Sequence, residues 1–246
     1  MKSIGIIPAR YASTRFPGKP LIDLLGKSMI RRVYEQCKKS KLLDSVIVAT
    51  DDQRIFDHVI AFGGEVRMTS TQHNTGTSRC AEIASQFVDA QIIVNIQGDE
   101  PTIHPEQIDE LLEISGNGIA TQAKKIERSE NLFDPNVAKV VFDKNQNALY
   151  FSRQAIPHIR SVDPKDWFNS HTYYKHIGMY SYDRTTLLKL NDLPSSNLEN
   201  MESLEQLRWL DHGIKIKVGI TNYESLSIDV LEDVEKVIQK ISSQSQ

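Results

Sequence analysis

Short, uninterrupted apolar runs alternate with stretches of helical periodicity through the first half of the chain, and this rhythm narrows the fold more than any other feature. Ile4–Ile7, Val46–Ala49, Glu65–Met68 and Ile92–Ile96 read as strands. A strand apolar at every position is buried on both faces, as in a parallel sheet covered by helices. Between the runs lie helical patterns. Ser28 caps one that reaches Ser40, with Ile30, Val33, Tyr34 and Cys37 on one face. Asp52–Phe62 is a second, stopped by Gly63-Gly64, and Arg79–Val88 a third. Pro105 opens a fourth that runs to about Ser115. The class is α/β, with a mostly parallel central sheet and helices on both faces.

The rhythm changes after Gly118. Val137–Asp143 and Ala148–Arg153, joined by a Lys-Asn-Gln-Asn turn, read as a hairpin. The polar stretch Ser161–Ser170 reads as a loop, and Tyr173–Tyr182 as a strand. Met201–His212 is expected as one helix stopped by Gly213, Ile214–Ile220 as a strand, and Val230–Ile241 as a last helix before a frayed Ser/Gln tail. Residues 1–246 are read as one domain, in which residues 130–185 form an inserted hairpin or dimerisation lobe.

Composition excludes several function classes. With 39% hydrophobic and 25% charged residues, the chain is a soluble globular protein. A net charge of −3 gives no broad basic field for nucleic acid, so a cation cluster acts only locally. No apolar run approaches the roughly 20 residues of a membrane span, and the N-terminus has no signal pattern. Cys37 and Cys80, at apolar helix positions, suit reduced core residues of a cytoplasmic protein.

Ligands of open parallel sheets sit at the carboxyl ends of the strands. Two loops start there. Pro8 ends the first strand, and Arg10, Arg15 and Lys19 follow among Ser13, Thr14, Pro17, Gly18 and Pro20. The arginines offer planar forks for phosphate oxygens and the lysine a mobile charge, although a solvated basic loop has the same composition. The second loop is Gln97-Gly98-Asp99-Glu100-Pro101, where Asp99 is placed either to hold Mg²⁺ against a phosphate or to shape a turn. Asp229 with Glu232 fits a helix capping box that leaves an oxygen for a metal. No G-x-G-x-x-G follows the first strand, which removes the main support for a dinucleotide oxidoreductase. Gly26-Lys27-Ser28 reads as a turn and a cap rather than the end of a P-loop, and Asp51-Asp52 as a turn and a cap. His171 and His176, five apart on an extended segment, point to opposite faces, which is poor spacing for a shared metal. Glu205 and Gln206, taken alone, read as a solvated helix face.

Six ordered blocks give the chain a resemblance to the 3-deoxy-D-manno-octulosonate (Kdo) cytidylyltransferases, or CMP-Kdo synthetases. They are IPARYASTRFPGKPL, ATDD, NIQGDEP, ALYFSRQAIP, KHIGMY and SLEQLR, and they span nearly the whole length. The resemblance implies a Rossmann-like nucleotidyltransferase fold, homodimerisation, and transfer of CMP from CTP to the anomeric 2-hydroxyl of Kdo for lipopolysaccharide biosynthesis. By the same resemblance, Arg10, Arg15 and Lys19 meet the triphosphate, with Lys19, Asp99 and Arg15 at the reacting centre. Ala9, Thr75, Gly76 and Thr77 line the base. Gln97, Arg153, His176, Tyr180, Glu205 and Gln206 meet the sugar acid, and Asp99 and Asp229 bind Mg²⁺.

The chain departs from the pattern in three places. Ser78 stands where relatives carry an aspartate, Val230-Leu231 replaces a Thr-Pro pair after Asp229, and Lys175 replaces an arginine before His176. The competing readings are the same chemistry on an 8-amino Kdo analogue or another sugar acid, and a non-catalytic sensor of the nucleotide.

Overall fold

The computed structural model describes residues 2–12 and 16–244. Arg15, named above for the triphosphate, lies outside the described residues together with Ser13 and Thr14. The strands are β1 (Ser3–Ala9), β2 (Ser45–Thr50), β3 (Val66–Met68), β4 (Ile92–Asn95), β5 (Ile119–Lys125), β6 (Lys139–Phe142), β7 (Ala148–Ser152), β8 (Tyr174–Asp183) and β9 (Ile216–Ile220). The helices are α1 (Met29–Cys37), α2 (Gln53–Ala61), α3 (Gly76–Gln86), α4 (Pro105–Glu113), α5 (Ser129–Phe133), α6 (Trp167–Ser170), α7 (Arg184–Leu190), α8 (Asn197–Glu202), α9 (Gln206–Asp211) and α10 (Asp233–Gln244).

The sheet runs in the order β3-β2-β1-β4-β8-β5-β9. β1 to β4 are mutually parallel, as the apolar runs require. β8 is antiparallel to both β4 and β5, and β9 is parallel to β5. The β6–β7 hairpin is antiparallel and meets the sheet through Lys139, opposite Lys175 of β8, and through Asn147 of its turn, opposite Lys217 of β9.

Alternation along each strand feeds two cores. Ile4 and Ile6 of β1, with Ile47 and Ala49 of β2, pack with Cys80, Ile83 and Ala84 of α3, Leu187 and Leu190 of α7, and Leu207 and Trp209 of α9. Ile7 and Ala9, with Val46 and Val48, pack on the other face with Ile30, Val33 and Cys37 of α1, Ile55 and Val59 of α2, and Ile108 and Leu111 of α4. Each buried Val, Leu or Ile side chain among them contributes about 1.5–3 kcal/mol relative to exposure. A smaller cluster joins α10, through Val237 and Ile241, to Ile228, Leu24 and Met29. Both cysteines are free and buried, and burial pushes their thiols up, so they are packing groups.

Several elements differ from the sequence reading. β1 continues through Pro8 to Ala9, because pairing with β4 ends at Ile6 and Pro8 has only β2 beside it. The expected helix Arg79–Val88 begins earlier, at Gly76, with Thr75 as its cap. β5 has no apolar run to mark it, because its second half is polar, although Thr121, Gln122 and Lys124 are all buried. Residues 161–170 are not a plain loop: a 3-10 turn and α6 form there, anchored by buried Trp167 against Ile126, Leu132 and Tyr173. Met201–His212 is not one helix. Ser203, at φ 50°, ends α8 and separates it from α9. The last helix starts at Asp233 and runs on through the expected tail to Gln244.

Candidate active site

The carboxyl ends of β1 and β4 bring the two sequence-predicted loops together. Gly98 makes this possible, because a Cβ there would lie 2.7 Å from the Pro8 carbonyl oxygen. In the first loop, Gly18 adopts φ 72° and its N–H donates to the Tyr11 carbonyl at 3.0 Å, while its Cα side packs on the Tyr11 ring. That turn delivers Lys19 to the second loop. The Lys19 Nζ donates to Asp99 Oδ2 at 2.8 Å and to the Ile228 carbonyl at 2.7 Å, and lies 3.8 Å from Asp229 Oδ1. One ammonium therefore collects two carboxylates that stand 130 residues apart in sequence.

These groups edge a cleft of about 240 Å³, lined also by Ala9, Arg10, Thr75, Gly76 and Gln97. Arg10 is exposed at its rim. Thr75 is the N-cap of α3, accepting from the Ser78 N–H at 3.1 Å, so the positive end of an eleven-residue helix opens onto the cleft. Ser78 turns its hydroxyl back to the Thr75 carbonyl at 3.0 Å, so this departure from the family pattern serves the cap. Beneath the cleft, buried Arg79 pairs with Asp51 at 2.8 Å and donates to Thr69. Asp51, in the bend between β2 and α2, is thus an ion-pair partner as well, and Asp52 caps α2 as expected. Arg79 and His73, whose Nε2 donates to the Glu82 carboxylate, carry no signal of a site in the local sequence. Arg79 sits in the NTGTSR run, but its partner Asp51 is distant in sequence.

Asp229 is held differently from the expected capping box. Its N–H, and that of Val230, donate to Asp233 Oδ2 at 3.0 and 3.2 Å, and the helix begins only there. Without a proline to set the first turn, Val230 and Leu231 lie exposed ahead of it.

A second group lies beside the cleft, toward α9. The Thr77 hydroxyl donates to Glu205 Oε2 at 2.6 Å in a depression of about 270 Å³ that Thr75, Ser78 and Arg208 also line. Burial pushes the Glu205 carboxyl up. Gln206 is buried, so neither residue belongs to a solvated face. The break at Ser203 turns both inward. The Gln206 Nε2 and the Tyr180 hydroxyl are buried with no hydrogen-bond partner among the described residues. Tyr180 packs edge-on to Trp209, with ring centroids 5.0 Å apart. His176 packs against Phe151 and Tyr180, and its Nε2 lies 3.0 Å from Thr121 Oγ1. Thr121 donates to the Met179 carbonyl at 2.8 Å, which leaves its oxygen to accept from the imidazole. Burial pushes His176 down to about 3, so it is a neutral donor. Gln97 Nε2 donates to the Gly178 carbonyl at 2.7 Å and links this group to the cleft.

Arg153 stands apart from the cleft. Its guanidinium donates to the Glu202, Pro135 and Ser203 carbonyls. Lys175 pairs with Glu224, which Lys124 also meets at 3.1 Å.

The Asp99–Asp229 pair suits a hard divalent cation: both donors are carboxylates, and both already converge on one positive charge. No group of three or more His, Cys, Asp or Glu side chains forms a metal cage among the described residues. A magnesium ion, which prefers one or two carboxylates plus substrate phosphate oxygens, fits two better than a zinc ion would. Among the described residues, no helix is long and apolar enough to cross a membrane.

A model of the cytidylyltransferase family matches residues 4–216. The chain is 55% identical to the 3-deoxy-manno-octulosonate cytidylyltransferase of Parabacteroides distasonis, over 97% of both chains. It is 50% identical to that of Bacteroides thetaiotaomicron over the full length of both. A solved CMP:2-keto-3-deoxy-manno-octonic acid synthetase, complexed with CTP, superposes with a TM-score of 0.91 and 38% identity, covering 99% of this chain and 100% of that one. A likeness at 15% identity and TM-score 0.62 to a 4-diphosphocytidyl-2C-methyl-D-erythritol synthase of Anaerococcus prevotii, over 98% of this chain and 99% of that one, bears on the fold alone. The nearly end-to-end identity, together with the six sequence blocks, means that the chain belongs to the cytidylyltransferase family, as a member of its 3-deoxy-manno-octulosonate branch.

Proposed function

We propose that the protein transfers CMP from CTP to the anomeric 2-hydroxyl of Kdo, releasing pyrophosphate and giving CMP-Kdo for lipopolysaccharide biosynthesis. The observation that carries this reading is the convergence of Lys19, Asp99 and Asp229 at the mouth of the cleft between the ends of β1 and β4. CTP lies over the strand ends with its base near Ala9, Thr75, Gly76 and Thr77. Arg10, Arg15 and Lys19 hold the triphosphate. The sugar oxygen forms its bond to the α-phosphorus as the bond to pyrophosphate breaks. Lys19, with Arg15, offsets the charge that grows on the leaving pyrophosphate. Asp99 and Asp229 hold Mg²⁺, which when bound supplies Lewis-acid neutralisation of the phosphate charge.

The sugar acid occupies the group around α9. Tyr180 and Gln206 have buried polar atoms that a polyhydroxylated ligand would satisfy, and leaving such atoms unpaired costs about 1–3 kcal/mol each. Neutral His176, Gln97 and Glu205 complete its surroundings. Arg153 has committed three of its five donors to carbonyls and keeps two for the sugar carboxylate. Residues 1–246 work as one catalytic domain, as a homodimer in the cytoplasm.

The test is pyrophosphate release from CTP and Mg²⁺ with Kdo, its 8-amino analogue or N-acetylneuraminate, with the product identified by mass spectrometry. Release with Kdo and a CMP-Kdo product are expected. Tight CTP binding without release on any acceptor would replace this reading with a nucleotide sensor.

A further inference from the structure

Asp229 lies in residues 221–232, which link β9 to α10 and form neither helix nor strand. A carboxylate on such a segment needs fixing from outside, and the loop after β4 does it. The Ser225 hydroxyl donates to Glu100 Oε2, and the Leu226 N–H donates to Thr102 Oγ1 at 2.9 Å. The Ile228 N–H donates to the Asp99 carbonyl at 3.0 Å, and fully buried Ile228 packs with Leu24, Met29 and Val237. Asp99 and Asp229 line the cleft, whereas Glu100, Ser225 and Leu226 line a separate cavity of about 410 Å³. The segment therefore divides the two cavities, with its reactive end on one side and its fastenings on the other.

We propose that Glu100 and Thr102 are positioning residues: by gripping Ser225 and Leu226 they set the separation of Asp229 from Asp99, and with it the affinity of the carboxylate pair for the metal. This deepens the cytidylyltransferase reading and rests on it for the identity of the metal pair. The Ser–Glu and Thr–backbone bonds lie outside the cleft, so their loss leaves Arg10, the α3 N-terminus and the Lys19–Asp99 bond in place for nucleotide.

Ser225→Ala and Thr102→Val each remove one bond, and Ser225→Thr keeps the hydroxyl. Three readouts separate positioning from plain stability: the Mg²⁺ concentration for half-maximal pyrophosphate release, CTP affinity by calorimetry with and without Mg²⁺, and hydrogen exchange of peptides covering residues 222–230. Loss of one hydrogen bond is expected to raise the Mg²⁺ requirement about fivefold. Metal-free CTP affinity should stay within about twofold, exchange in 222–230 should quicken about fivefold with the β4 peptides unchanged, and Ser225→Thr should restore all three. An unchanged Mg²⁺ requirement, or an equal loss of CTP affinity without metal, would overturn the proposal. If the wild-type protein releases no pyrophosphate, the functional reading falls. The Mg²⁺-dependent gain in CTP affinity and the exchange pattern then decide the positioning proposal separately.

Discussion

Lys19→Ala removes a cation that meets both Asp99 and Asp229. At 2.8 Å and an effective dielectric of about 20, the gross Lys19–Asp99 attraction is about 6 kcal/mol. Most of that is offset by desolvation, since the two side chains are only 14% and 28% exposed, and the net value of such a charge-assisted bond is about 1.5–3 kcal/mol. The Ile228 carbonyl also loses its donor, which adds about 1 kcal/mol. The variant should therefore lose about 2.5–4 kcal/mol of unfolding free energy in a chelator. Mg²⁺ should restore more of it than it adds to the wild type, because the two carboxylates are left without their ammonium. CTP affinity should fall about tenfold to a hundredfold through loss of a phosphate contact. Urea unfolding with EDTA or Mg²⁺, and calorimetric titration with CTP, read both quantities. Unchanged stability together with unchanged CTP affinity would remove Lys19 from the site.

Tyr180→Phe deletes a buried hydroxyl that has no partner among the described residues, so stability should hold or rise by up to about 1 kcal/mol, while the KM for the sugar acid rises about tenfold. A drop in stability with an unchanged KM would count against its place at the acceptor. His176 is held neutral, with its pKa lowered from the ordinary value near 6.5 to about 3. Its neutral form is thus favoured by folding, and the stability it contributes is present above the ordinary value and lost as pH falls from there toward about 3. His176→Gln should flatten the pH dependence of urea unfolding between pH 7 and 4.5 by about 2 kcal/mol; an unaltered slope would mean that another group carries it.

Elements whose burial is symmetrical were legible from the chain alone. The apolar runs of β1, β2 and β4 fix themselves, and Ser28, Asp52 and Pro105 mark helix starts that the structure keeps. Where tertiary contacts decide, local pattern failed. β5 buries Thr121 and Gln122 because β8 and β9 flank it, which no local periodicity announces. Ser203 breaks a helical pattern by adopting a left-handed conformation, and that break carries Glu205 and Gln206 inward. The site was legible in the same uneven way. Lys19 and Asp99 stood out because each follows a strand end. The meeting of Asp229 with them depends on the fold of a segment that has no regular structure, and the Arg79–Asp51 pair on the approach of α3 to β2.

The central claim is that the carboxylates gathered at Lys19 serve the chemical step more than the binding of nucleotide. Single-turnover pyrophosphate release by Asp99→Asn, at saturating CTP, Kdo and Mg²⁺, tests it most directly. The expected rate is at least about a hundredfold below wild type, with CTP affinity within about fivefold. A near-normal rate would make Asp99 a turn residue and leave the reaction without its anchor.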